Sequence, residues 1–135
     1  MEEEQKASPN LQTLWIVYGA LCLSQLVYGV VGTVIKASGE PTTSLEMPIA
    51  LAFAGITSSV LSFVMGNLIQ GNYFTKCIIK WALSESVAVY GLVLCILTGN
   101  KLYLGAFIVW SLALMAVHAP SQKQFEASLK PKSDE

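Results

Sequence analysis

Glu85 is a carboxylate in a part of the chain where carboxylates are rare. Of the nine acidic residues, it is the one that lies inside a long apolar stretch, near the middle of residues 73–97. A charged side chain at the centre of a bilayer costs about 2.5–3.5 kcal/mol on insertion scales, and such residues usually have a function. A carboxylate in this position could carry a proton or hold a hard cation such as sodium.

Polar residues in three apolar stretches lie at depths similar to that of Glu85. Because side-chain oxygens suit a hard cation, the sequence predicts an ion-binding site at Glu85 that takes either a proton or sodium, with no other cofactor. The predicted members are Glu85, Ser86, Tyr90, Gln25, Ser58 and Ser59. In the alternative interpretation, a neutral Glu85 forms a hydrogen bond with Gln25 and only joins two helices.

Small residues recur at every fourth position of the second apolar stretch. Four residues advance a helix by about 400°, so such residues form one slowly drifting stripe. Small side chains let membrane helices approach closely. The stripe therefore predicts either an ordinary tight helix pair or a helix that lines a crowded inner ring. Its members are Ala50, Ala54, Ser58, Ser62 and Gly66.

Four apolar stretches must position these side chains: 11–35, 47–70, 73–97 and 102–118. Charged residues make up 13% of the chain, against about 25% in soluble domains. Stretches of this length rise about 25–37 Å as helices, enough to cross a hydrocarbon core of about 30 Å. We expect one all-α membrane domain of four transmembrane helices, arranged as two antiparallel hairpins. Residues 1–10 and 120–135 are polar ends, and we expect the second to lack regular structure.

Lysines set the predicted orientation, since the chain has no arginine. Six lysines fall on one side of the predicted spans and two, Lys36 and Lys101, on the other. The positive-inside rule then places both termini in the cytoplasm. The acidic start of the chain does not fit a cleavable signal peptide, and no basic patch indicates a nucleic-acid partner. We expect His118 to meet the helix C-terminal dipole and lipid headgroups rather than a metal.

The stretch Ala82–Val93, ALSESVAVYGLV, resembles the ion-binding helix of rotary ATP synthase subunit c, the ring-forming proteolipid. The resemblance is close over these residues and loose over 47–97. It implies that Glu85 is the essential carboxylate, which exchanges its ion as a ring turns past an arginine of a stator subunit. Ser86 and Tyr90 match the hydroxyl pattern of sodium-binding members. The family's dense alternating glycines are absent, and Gln70–Lys76 stands in place of its Arg-Gln-Pro type loop.

The resulting hypothesis is a multi-pass membrane subunit, in a ring or homo-oligomer within lipid, that translocates protons or sodium through Glu85. No phosphate-binding loop is present, so we expect no ATP hydrolysis by this chain itself, although it could be a subunit of an ATP synthase. Two alternatives stay open: a small proton-coupled exporter of the four-helix multidrug type, and a structural membrane subunit without transport.

Overall fold

A computed structural model describes residues 10–35 and 44–130, which fold into helices. These are α1 (Leu11–Val34), α2 (Glu46–Leu68), α3 (Tyr73–Thr98), α4 (Lys101–Val117) and α5 (Gln122–Leu129). The all-helical class is therefore confirmed for this part of the chain, and each of the four apolar stretches forms one helix. Most of the predicted polar arm before α1, and residues 131–135 of the second polar end, lie outside the described residues.

Asparagine side chains begin three of the helices. Asn10 Oδ1 accepts a hydrogen bond from the Thr13 amide at 2.8 Å, and Asn72 and Asn100 cap α3 and α4 in the same manner. These caps satisfy amides that have no partner within their own helix. Gly99, with φ of 68°, ends α3 in the left-handed conformation that glycine adopts readily. Such short connections make α3 antiparallel to both α2 and α4.

Three helices, α1, α2 and α3, are long and apolar enough to cross a membrane. A fourth span is present if α4 and α5, which meet at a bend of 48°, count as one. Helices can cross lipid because their backbone groups bond within the same segment. The described residues are therefore consistent with a membrane protein.

Helix α3 lies at the centre of the bundle and packs against α1, α2 and α4. Its buried side chains belong to two apolar clusters, one shared with α1 and α4 and the other with α4. The outward faces of α1 and α2 carry exposed apolar side chains such as Ile16, Val30 and Phe53, as expected of surfaces that contact lipid. This arrangement leaves α3 able to present side chains to three different neighbours. The first cluster consists of Leu14, Cys77, Trp81 and Met115. The second consists of Val87, Leu94, Phe107 and Leu114.

The expectation that the tail after residue 120 lacks regular structure was wrong for α5. The Tyr73 ring of α3 lies 6.0 Å from the Phe125 ring of α5. The Ser121 amide also donates a hydrogen bond to Tyr73 Oη at 3.0 Å. A single aromatic residue in a polar segment is a weak sequence signal, and it stabilises a helix here because α3 provides a surface for it.

Candidate functional site

Glu85 lies at the middle of α3, about 18 Å from the start of the helix. Its side chain is partly buried and faces α1. Glu85 Oε1 accepts hydrogen bonds from Ser24 Oγ at 2.5 Å and from Tyr28 Oη at 3.0 Å. Because Ser24 and Tyr28 are four residues apart, they occupy one face of α1. One helix therefore supplies both hydroxyls to the carboxylate of another.

Ser24 has one hydroxyl hydrogen and two acceptors within reach. Its Oγ lies 2.5 Å from Glu85 Oε1 and 2.7 Å from the Leu21 carbonyl oxygen. A hydroxyl group donates one hydrogen bond and can also accept. When Glu85 is charged, Ser24 can donate to Oε1. When Glu85 is protonated, it can donate to Ser24 Oγ while Ser24 donates to Leu21. The site is thus able to satisfy the carboxyl group in both protonation states.

The other predicted site residues do not all gather around Glu85. Ser86 Oγ donates to the Leu83 carbonyl at 2.6 Å, and Ser59 Oγ donates to the Gly55 carbonyl at 2.8 Å. Serine in a helix often bonds to its own backbone in this way. These two hydroxyls therefore stabilise contacts within their own helices.

Tyr90 faces α2 instead of the carboxylate. Its hydroxyl lies 3.3 Å from Ser58 Oγ. Five residues along a helix correspond to a rotation of about 140° from Glu85, so the two side chains meet different neighbours. Of the predicted site residues, Tyr90 and Ser58 therefore contact each other. Glu85 instead accepts its hydrogen bonds from α1.

Gln25 is fully buried on α1, and within the described residues neither its amide oxygen nor its amide nitrogen has a hydrogen-bond partner. It follows Ser24 directly and so projects about 100° further round the helix. No hydrogen bond joins it to Glu85, which the neutral-pair interpretation requires. Leaving a buried polar group unpaired costs about 1–3 kcal/mol. Gln25 is therefore a buried polar residue near the site whose presence the described contacts do not explain.

The small-residue stripe packs closely along only part of its length. Ser58, Ser62 and Gly66 are buried, whereas Ala54 is partly buried and Ala50 is exposed, because a four-residue repeat drifts around the helix. We call Ser58, Ser62 and Gly66 the polar seam, since each contacts a polar side chain of the neighbouring helices. Ser58 contacts Tyr90 and Ser62 contacts His118. A methyl group added at Gly66 would collide with Lys80, whose side chain crosses this glycine.

His118 is buried at the C-terminal end of α4, the position expected for contact with the helix dipole, and its contact with headgroups stays a prediction. Its Nε2 lies 3.0 Å from Ser62 Oγ, and its carbonyl accepts a hydrogen bond from Trp81 Nε1 at 2.8 Å. Ser62 Oγ also lies 2.7 Å from the Ser59 carbonyl oxygen, so its one hydrogen is donated either to that carbonyl or to the imidazole, according to the tautomer of His118. The sequence could not show that α2 covers this end of α4.

Ser24 and Tyr28 were not among the predicted site residues. Their signal was present: Leu23-Ser24-Gln25 with Tyr28-Gly29 echoes Leu83-Ser84-Glu85 with Tyr90-Gly91. The spacing of four residues also places both hydroxyls on one face of α1. Which face of α1 meets Glu85 depends on the rotation of the helix, which periodicity does not determine. The described residues contain no group of three or more His, Cys, Asp or Glu side chains that could hold a metal ion.

Comparison of the chain with protein-family models, curated proteins and solved structures finds no match.

Proposed function

We propose that this chain is a membrane subunit that translocates protons by reversible protonation of Glu85. The observation that carries the proposal is the position of Ser24, which can donate to the charged carboxylate or accept from the neutral acid. A transport carboxylate must exist in both states at mid-membrane, where an unpaired polar group is costly. Tyr28 provides a second hydroxyl that is able to donate or accept.

The oxygens around Glu85 favour a proton over sodium. Ser24 and Tyr28 supply one hydroxyl each, whereas hard cations are commonly surrounded by about six oxygens. The hydroxyl of Ser86, which the resemblance to sodium-binding proteins would recruit, and that of Ser59, predicted from its depth in α2, both bond within their own helices.

The oligomeric part of the proposal depends on the sequence resemblance around Ala82–Val93, since the polar seam is already packed against α3 and the end of α4 of the same chain. The chain has no arginine, so a stator subunit would have to provide one. In this proposal both termini are cytoplasmic, and neighbouring copies cover part of the apolar outer face of α1 or α2.

The test is proton flux into membrane vesicles from cells that produce the chain together with its stator partner, combined with carbodiimide labelling of the chain. Glu85→Gln keeps the size and hydrogen-bonding ability of the side chain but cannot carry a proton. We expect it to abolish both flux and labelling. Glu46→Gln, at the exposed start of α2, is the matched control and should change neither. Unchanged flux in Glu85→Gln would contradict the proposal.

A structural role for Glu85 is the second candidate, because both of its hydroxyl contacts join α1 to α3. Interhelical hydrogen bonds in membranes contribute about 1 kcal/mol. If Glu85 only joins helices, the wild-type protein should show no proton flux, and Glu85→Leu should reduce stability without any effect on transport.

A further inference from the structure

A cleft of about 790 Å³ opens at one end of the bundle, where α3 begins and α4 gives way to α5. The first two turns of α3 form one wall, and α5 forms the other. The contact between Tyr73 and Ser121 holds the two walls together. This cleft is separate from the Glu85 site, since Glu85 does not line it and lies about 8 Å further along α3 than Lys80.

The cleft is positively charged. Lys76 and Lys80 line it from α3, and Lys130 lines it from the end of α5. Three carboxylates occur in the described ranges, and none of them lines the cleft. The nearest in sequence, Glu126, accepts a hydrogen bond from Gln122 on its own helix. Three lysines line the cleft and none of the carboxylates in the described ranges does, and this charge distribution suits an anion.

The depth of the cleft fits a lipid headgroup. Helix α3 is about 39 Å long, which exceeds a hydrocarbon core of about 30 Å, so its terminal turns extend into the headgroup region. Lys80 lies about 10 Å from the start of α3, and its stem crosses Gly66. Apolar lining residues, among them Phe74 and Phe125, provide a surface for the upper part of an acyl chain.

We propose that this cleft binds the phosphate of an anionic phospholipid headgroup. Lysine ammonium groups near a bilayer surface attract anionic lipids, with an affinity gain of about fivefold for each lysine. A cleft with an apolar wall favours one bound lipid molecule over a diffuse layer of anionic lipid.

The test is native mass spectrometry of the full chain in detergent, titrated with phosphatidylglycerol, phosphatidylcholine or inorganic phosphate. We expect one phosphatidylglycerol per chain and at least tenfold weaker retention of phosphatidylcholine. Lys76→Gln/Lys80→Gln should weaken phosphatidylglycerol binding about 25-fold. Lys101→Gln/Lys123→Gln removes the same charge from residues that do not line the cleft and should leave binding within twofold of the wild type.

Each of the following results would overturn the proposal: equal loss of binding in the two double variants, equal binding of the two lipids, or displacement of phosphatidylglycerol by millimolar inorganic phosphate. The last result would identify a soluble phosphate compound as the ligand. Lys76→Arg/Lys80→Arg retains the charge and should retain binding. If this variant binds as weakly as the glutamine pair, charge does not hold the lipid, and the proposal fails.

Discussion

The Ser24 hydroxyl has one hydrogen and two acceptors within reach. We expect the loss of this hydroxyl to reduce transport more than the loss of any other hydroxyl. Ser24→Ala should reduce proton flux about tenfold, which corresponds to the loss of one hydrogen bond of ~1.4 kcal/mol. Proton flux into vesicles that contain the chain and its stator partner measures the effect. Ser86→Ala is the matched control, because that hydroxyl bonds only to its own helix. Equal flux in the two variants would contradict the role given to Ser24.

Gln25 gives a second prediction for a single residue. Gln25→Leu removes a buried amide that has no partner within the described residues. We expect it to raise the free energy of unfolding by about 1 kcal/mol, because the unpaired amide is costly. Thermal unfolding in detergent measures the change, with Gln12→Leu on the exposed face of α1 as the control. A destabilised Gln25→Leu would mean that the amide acquires a partner in the assembled protein.

The sequence identified Glu85 as the central residue because one carboxylate in an apolar stretch is detectable without a structure. Its partners were harder to predict. Tyr90 and Ser86 are near Glu85 in sequence, yet they do not form hydrogen bonds with it. The residues that do, Ser24 and Tyr28, come from a distant part of the chain. Partner choice between helices depends on how each helix is rotated about its axis, and several rotations fit one apolar pattern.

At the level of helices, close approach between α3 and α4 depends on Gly91. A Cβ atom at this position would overlap Phe107 of α4, whereas a Cβ at Gly105 of α4 would meet nothing within 4 Å. Gly91→Ala should therefore lower the free energy of unfolding by about 1–3 kcal/mol. Gly105→Ala should be neutral or stabilise the helix by up to about 1 kcal/mol. Chemical unfolding in detergent tests the pair, and equal effects would argue against tight contact at Gly91.

The short helix α5 depends on Tyr73. Tyr73→Phe keeps the ring that contacts Phe125 but removes the acceptor of the Ser121 amide. We expect amide exchange across residues 122–129 to become about fivefold faster, since one hydrogen bond contributes about 1 kcal/mol. Hydrogen–deuterium exchange followed by mass spectrometry measures this. Tyr103→Phe is the control, and similar exchange in both variants would show that α5 does not depend on the Tyr73 hydroxyl.

The bounds of the four long helices follow from the sequence to within about two residues. Apolar stretches fix their extent, and Asn10, Asn72, Gly99 and Asn100 mark their ends. Helix α5 could not be predicted in the same way, because its residues are polar and its stability comes from a contact with α3. Local pattern therefore determines the long helices, and tertiary contact determines the short one.

For the whole molecule, the number of copies in the purified complex distinguishes the functional hypotheses. The proposed rotor-type subunit should form a closed ring of many chains, because one carboxylate per chain then passes a stator in turn. Mass photometry and electron microscopy of the detergent-purified protein measure copy number and symmetry. Two copies would favour the exporter, and a single copy would contradict the homo-oligomer.

The central position of α3 has a mechanical consequence. Both hydroxyls that contact Glu85 belong to α1, whose opposite face is exposed and apolar. A neighbouring protein that presses on this outer face would shift Ser24 and Tyr28 relative to the carboxyl group without touching it. Under the proposed function, such a displacement of α1 would regulate proton release from Glu85.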